Sequence, residues 1–283
     1  MTARLSVVIP AHDESAVIDR ILGSLTSHPR SAEIEIVVAA NGCRDDTASR
    51  ASTYGGVRVV EVPTASKIAA LNAGDAAATA FPRVYLDADV VIAPDALFAL
   101  ADALDADGTE VASPAFAVDT SDASWAVRQH YRIWELTDYR QSGHIGSGVY
   151  GLSEAGRARF GAWPDVIADD RFVQQLFLPA ERATLGDHSF TVRSAADMRS
   201  HIRRSVRIAR GNQELPPSLQ HAPATGRSTH TNLVKRVAAQ PTLWFPFAVY
   251  SVNWVIPNIV ARRSIVRSSE QTWNRDETSR VPA

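Results

Sequence analysis

Short apolar runs alternate with helical stripes along the first hundred positions. Residues 5–9 are apolar toward both faces and are stopped by Pro10, as in a strand buried on either side. Over 16–25 the apolar positions Val17, Ile18, Ile21, Leu22 and Leu25 share one helical stripe. Strands over 34–40, 57–62 and 84–86 then alternate with helices over 46–54 and 66–79, the first of them opening on acidic residues. Strands separated by helices predict an α/β fold, with a doubly wound, mostly parallel sheet that binds ligands at the carboxyl ends of its strands.

Beyond Glu110 the rhythm changes. A strand over 111–118 leads into an aromatic-bearing helix over 125–139 and a glycine-rich turn at 143–148. Another helix opens at Asp169-Asp170, and an arginine-rich helix covers 196–210. Pro216-Pro217 and many Ser, Thr and His residues make 216–240 read as a flexible loop. An apolar segment and a polar tail fill 241–283. The chain thus divides into 1–110, 111–215 and these two C-terminal pieces, with no internal repeat.

Composition narrows the partners. A chain of 283 residues buries enough core for one large α/β domain or two closely packed halves. The formal net charge of −2 gives no global pull toward nucleic acid. Lys67 and Lys235 are the only lysines, while Arg193, Arg199, Arg203, Arg204, Arg207 and Arg210 crowd into one stretch. Cys43 is the only cysteine, which excludes an intrachain disulfide and, on this reading, a cysteine-based zinc site. The N-terminus runs straight into a strand without the apolar run of a signal peptide, so a cytoplasmic address is expected.

The most informative string is Val84-Tyr85-Leu86-Asp87-Ala88-Asp89-Val90-Val91. Alternation along an extended chain sends Asp87 and Asp89 the same way, where they can share a hard cation such as Mg²⁺ or Mn²⁺. The plain alternative is a solvated turn, with Asp95 capping the next helix. Acids also end the first strand (Pro10, Ala11, His12, Asp13, Glu14) and follow the second (Asn41, Gly42, Cys43, Arg44, Asp45, Asp46). Ser66-Lys67 opens the helix that precedes the Asp-Ala-Asp strand.

This series, in this order and spacing, resembles the nucleotide-binding half of family 2 glycosyltransferases of the GT-A fold. The resemblance implies contiguous nucleotide-binding and acceptor-binding halves, a nucleotide-sugar donor and Mn²⁺ or Mg²⁺. It puts Pro10, Ala11, Asp13 and Glu14 at base and ribose, and Asn41, where the family more often has Asp, at the nucleobase. Lys67 falls beside base or diphosphate, Asp87 and Ala88 at the ribose or metal, and Asp89 on the metal. Asp170, with Asp169 as neighbour, falls where the family carries its base, and both also suit a helix N-terminus. Gly146, Ser147 and Gly148 match a small-residue loop at the acceptor, or else a plain glycine turn. Arg207 matches the arginine of a Gln-x-x-Arg-Trp motif while Arg204 and Ile208 depart from it, which weakens the case for polymer synthesis; arginines here suit a donor-diphosphate contact, and equally a solvated face or contact with anionic lipid. His188 is either a third metal ligand, as in some GT-A enzymes, or a structural histidine.

The implied reaction moves a sugar onto the hydroxyl of a sugar, lipid-linked or small-molecule acceptor. Two other classes remain: a non-catalytic binding protein on the same scaffold, and a nucleotidyltransferase. The latter would need a glycine-rich triphosphate loop that 10–15 lacks. Residues 243–263 combine Trp244, Tyr250 and Trp254 with Arg262-Arg263, which suits peripheral contact with the inner face of a membrane. Packing on protein is the ordinary alternative; Pro246, Asn253, Pro257 and Asn258 make a full span the weakest of the three.

Overall fold

The computed structural model describes residues 3–141, 145–165, 169–214 and 227–265. The chain opens with β1 (Leu5–Ala11), α1 (Ile18–Thr26), β2 (Ile34–Asn41), α2 (Thr47–Ser52), β3 (Val57–Val62), α3 (Lys67–Ala77) and β4 (Arg83–Leu86). It continues through β5 (Val91–Ile92), α4 (Pro94–Leu104), β6 (Val111–Asp119), α5 (Trp125–Trp134), α6 (Asp138–Gln141), β7 (Val149–Leu152) and α7 (Glu154–Arg157). The last elements are α8 (Asp169–Leu176), β8 (Arg182–Arg193), α9 (Met198–Glu214), α10 (Arg227–Ala238) and α11 (Trp244–Ile265).

Among the described residues the strands form one eight-stranded sheet in the order β3-β2-β1-β4-β7-β6-β8-β5. The first four are parallel, β7 runs antiparallel to its neighbours, and β6 and β8 pair parallel. The chain builds outward from β1 through β2 to β3 and then returns to β1's other side with β4. That reversal opens a crevice at the carboxyl ends of β1 and β4, where such sheets bind ligands.

Strand alternation explains the two cores. Leu5, Val7 and Ile9 of β1 pack with Ile18, Ile21 and Leu22 of α1 on one face. Val8 and Val37 pack with Leu71 of α3 and with Tyr85, Tyr150, Trp163 and Phe172 on the other. A sheet covered on both sides needs apolar residues at successive positions, which is why β1 and β2 lack a polar face. Buried Asp75 on α3 pairs with Arg83 at 2.5 Å, accepts from Tyr85 Oη at 2.8 Å and also pairs with Arg157 of α7. This clamp fixes α3, and with it Lys67, against β4.

Two expectations need correction. Residues 227–238 of the expected loop form α10, because Leu233 and Val237, one turn apart, bury against Ile133 and Leu243. Asn232 (2.9 Å) and Arg236 (2.7 Å) also bind Asp138 on α6. The polar composition hid this pair; 215–226, including Pro216-Pro217, lie outside the described residues. The expected helix over 125–139 breaks into α5 and α6. The apolar C-terminal segment forms α11, which packs on α9 and α5. By length and composition its stretch Pro241–Val260 could cross a membrane. Its outer side leaves Trp244, Phe245, Val252, Trp254 and Ile259 exposed. The polar tail after 265 lies outside the described residues.

Candidate active site

Ser66 caps α3 by accepting the amide of Ala69 at 3.2 Å, which sets Lys67 at the first helical position. From there the Lys67 ammonium reaches Asp87, at the end of β4, at 2.8 Å and Asp169, at the start of α8, at 3.0 Å. One side chain therefore joins the acids of the Asp-Ala-Asp string to those of the second half. The Lys67 ammonium is thus engaged by carboxylates of both halves.

The two acids of α8 have different surroundings. Asp169 is buried, holding Lys67 with one oxygen and accepting from Tyr150 Oη at 2.8 Å with the other. Asp170 stays half-buried and accepts backbone amides from Ser147 at 3.0 Å and Arg171 at 2.7 Å. Tyr150, two residues beyond Gly148, was not singled out in the sequence; its sole signal there is its place after the small-residue loop.

That loop is shaped by the acids. Gly146 and Gly148 have φ of +108° and +112°, and Ser147 lies at +61°. A Cβ on Gly146 would stand 2.5 Å from Asp170 Cβ, and one on Gly148 2.8 Å from Val90 Cγ2. The Gly148 carbonyl accepts the Asp87 amide at 2.8 Å, so the loop threads between Asp87 and Asp170. Positive φ and close approach together admit only glycine at both positions.

Charge is unbalanced here. Burial pushes Asp87 up to about 6, with Lys67 opposing and Asp169 and Asp89 adding to the rise. Burial, then Asp169, likewise raises Asp170, against Lys67 and two backbone amides. Burial disfavours the Lys67 ammonium, but Asp169 and Asp87 outweigh it and hold the charge on. Burial and Asp169 keep the Tyr150 hydroxyl protonated. Asp87, Asp169 and Asp170 act on one ammonium and Asp89 adds its charge beside Asp87, so this end of the crevice is net negative, and carboxylate oxygens suit Mg²⁺ or Mn²⁺. Asp87 and Asp89 are half-buried with Ala88 turned inward, and the Asp89 carbonyl accepts from Arg20 of α1 at 2.9 Å.

Pro10 and Ala11 lie buried within β1, opposite Ala39 and Ala40, rather than in the loop after it. Asp13 (φ +48°) accepts the Arg44 amide at 2.6 Å, and the Glu14 amide donates to Thr47 Oγ1 at 2.6 Å. Asn41 is fully buried; its Nδ2 donates to the Ala11 carbonyl at 2.9 Å and, among the described residues, its Oδ1 has no hydrogen-bond partner. Arg207 is exposed on α9, which packs chiefly on α11 and α5. His188 is not brought beside Asp89 by the strand register. Val91 and Ile92 pair with Thr191 and Phe190, so the end of β8 nearest Asp89 is Arg193. His188 lies five residues back, about 16 Å along an extended chain, in the irregularity between Leu185 and Ser189.

The family description "Glycosyl transferase family 2" matches residues 6–160, more than half of the chain. No curated protein matches by sequence. Among solved structures, a mannosyltransferase from Pyrobaculum calidifontis, in complex with GDP-Man and Mn²⁺, is similar at 20% identity and TM-score 0.64, covering 95% of this chain and 89% of that one. S. aureus TarS (1–349), in complex with UDP, is similar at 15% identity and TM-score 0.52, over 97% of this chain and 93% of that one. Glucosyl-3-phosphoglycerate synthase from Mycobacterium tuberculosis, bound to Mn²⁺, UDP-glucose and phosphoglyceric acid, is similar at 20% identity and TM-score 0.50, over 64% and 69%. Likeness at these identities establishes a shared fold, and the α8 acids lie beyond the matched residues.

Proposed function

This chain belongs to glycosyl transferase family 2, and from that premise we propose that it moves a sugar from a nucleoside-diphosphate sugar to an acceptor hydroxyl with inversion. The observation that carries the reading is the Lys67 bridge, which gathers Asp87 and Asp169 beside Asp170 at the carboxyl ends of the strands.

Asp169 is committed to Lys67 and Tyr150, so the acid left to face a substrate is Asp170. Its carboxylate takes the acceptor hydroxyl proton as that oxygen attacks the anomeric carbon, and the bond from that carbon to the diphosphate oxygen breaks. The Ser147 and Arg171 amides orient the Asp170 carboxylate. Asp89 and Asp87 would hold the Mn²⁺ or Mg²⁺, which when bound supplies positive charge to the departing diphosphate. The complexes of the mannosyltransferase with GDP-Man and Mn²⁺ and of the synthase with UDP-glucose and Mn²⁺ support a metal-dependent donor.

At the other end of the crevice, the unpartnered Asn41 Oδ1 is an acceptor in a buried place, where leaving it unsatisfied costs about 1–3 kcal/mol. A nucleobase ring N–H, as in uracil or guanine, satisfies it. Asp13 and Glu14 border this base and ribose subsite, and the Gly146-Ser147-Gly148 loop borders the acceptor. Arg207 remains a proposed diphosphate contact.

The outer face of α11, with Trp244, Phe245 and Trp254 exposed, supports peripheral membrane contact by a cytoplasmic enzyme and, with it, a lipid-linked acceptor. Flotation with vesicles containing anionic lipid tests this; protein that stays at the bottom of the gradient refutes it.

Donor class is tested by nucleotide release from UDP-, GDP- and dTDP-sugars with Mn²⁺, Mg²⁺ or EDTA. Metal-dependent release from one donor, lost in Asp89→Ala, is the expected result. Release that ignores both EDTA and Asp89→Ala would refute the assignment.

A further inference from the structure

The carboxyl ends of β1 and β2 carry a second cluster with no part in the proton transfer above. His12, Asp13 and Cys43 each offer one donor atom, and all three atoms lie within 4.8 Å of one another. The register sets Ala11 opposite Ala40, so the two strands end side by side. The turn at Gly42 (φ +55°) then returns Cys43 over β1, with Sγ 3.5 Å from the Ala11 carbonyl and 3.4 Å from the Asp13 amide. Asp13 holds a left-handed φ of +48°, uncommon for a residue with a side chain and typical of functional turns.

The imidazole is oriented by its second nitrogen. His12 Nδ1 lies 2.5 Å from the Asn41 carbonyl oxygen. A carbonyl can only accept, so Nδ1 carries the proton and Nε2 the lone pair. Nε2 faces Asp13 Oδ2 at 3.9 Å. An N–H to a backbone carbonyl is the arrangement that fixes the tautomer of metal-binding histidines. Imidazole, carboxylate and thiolate together select a borderline-soft ion over Mg²⁺ or Mn²⁺. With bonds of about 2.0–2.3 Å, tetrahedral ligands stand roughly 3.3–3.8 Å apart, so closure asks about 1 Å of this half-buried set.

We propose that His12, Asp13 and Cys43 form a site for one Zn²⁺-like divalent cation, separate from the Asp87–Asp89 site and with a fourth position open. A single cysteine thus suffices, where cysteine content alone had excluded a cysteine-based zinc site. The proposal has one consequence that rests on the donor placement above. If the nucleobase lies over these strand ends, cation and nucleotide exclude each other, and zinc inhibits in competition with the donor.

Cobalt(II) titration of the full-length, chelator-treated protein tests the site without turnover. The expected result is a thiolate-to-cobalt charge-transfer band that saturates at one ion per chain. Cys43→Ser abolishes the band, His12→Ala weakens binding at least about tenfold, and Asp89→Ala leaves both unchanged. No band in the wild type, or a band that survives Cys43→Ser, overturns the site; circular dichroism of the conservative Ser variant verifies that it is folded. Adding UDP or GDP with Mg²⁺ should discharge the cobalt. A band that follows Cys43 and His12 but ignores both nucleotides keeps the cation site and overturns the donor placement instead.

Discussion

Asp169 and Asp170 are neighbours in sequence with opposite fates. Asp169 is consumed by Lys67 and Tyr150, while Asp170 stays half-buried and is held by backbone amides. Asp170→Asn should therefore lower turnover by about 10²–10⁴-fold while leaving donor affinity unchanged, as separate binding and rate measurements will show. Because burial and Asp169 raise Asp170, the acid limb of the kcat profile should fall above the ordinary aspartate range. Asp87 makes a second pH-dependent prediction. Its folded pKa, about 6, lies above the unfolded value, so the folded state binds the extra proton and this group's contribution to stability is lost as pH rises through 6. Asp87→Asn should raise Tm at pH 8, with the gap closing toward pH 4; a gap that widens on acidification would contradict the assignment. None of these pairings is visible in the sequence. Asp87 and Asp89 are legible as a strand-end pair, but Lys67 and Asp169 are a hundred residues apart in the chain, and a long-range ion pair leaves no local periodicity.

At the scale of elements, the strands of the first half were the easiest to read. β1 and β2 are buried on both faces, so their composition alone marks them. β8 was not anticipated, because it lies toward the sheet's edge and its run is broken by Gly186, Asp187 and His188. The place of His188 relative to Asp89 was equally illegible, since only register shows which end of β8 meets Asp89. α10 was hidden for the opposite reason, its apolar pair being sparse among polar residues. Leu233→Ala should cost about 2–5 kcal/mol in denaturant unfolding if α10 packs as described, whereas a loop residue would cost almost nothing. Ser66→Ala removes the cap that sets Lys67 and should cost about 1 kcal/mol. Gly146→Ala places a methyl against Asp170 at a positive φ and should destabilise by about 1–3 kcal/mol while lowering kcat.

Across the whole molecule, the sheet brings two stretches of chain to one crevice. β1, β2 and β4 bring His12, Asp13, Asn41 and Asp87 to their carboxyl ends, and the antiparallel β7 returns the Gly146–Gly148 loop beside them. α8 then closes the set with two more acids, tied across by Lys67. We propose that this excess of carboxylate serves a metal and a nucleotide together. Calorimetric titration of UDP and GDP, with Mn²⁺ or with EDTA, into wild type and Asp89→Ala tests this. One nucleotide should bind in a metal-dependent manner, and Asp89→Ala should weaken it at least about tenfold. Nucleotide binding of equal strength with EDTA and in Asp89→Ala would contradict it.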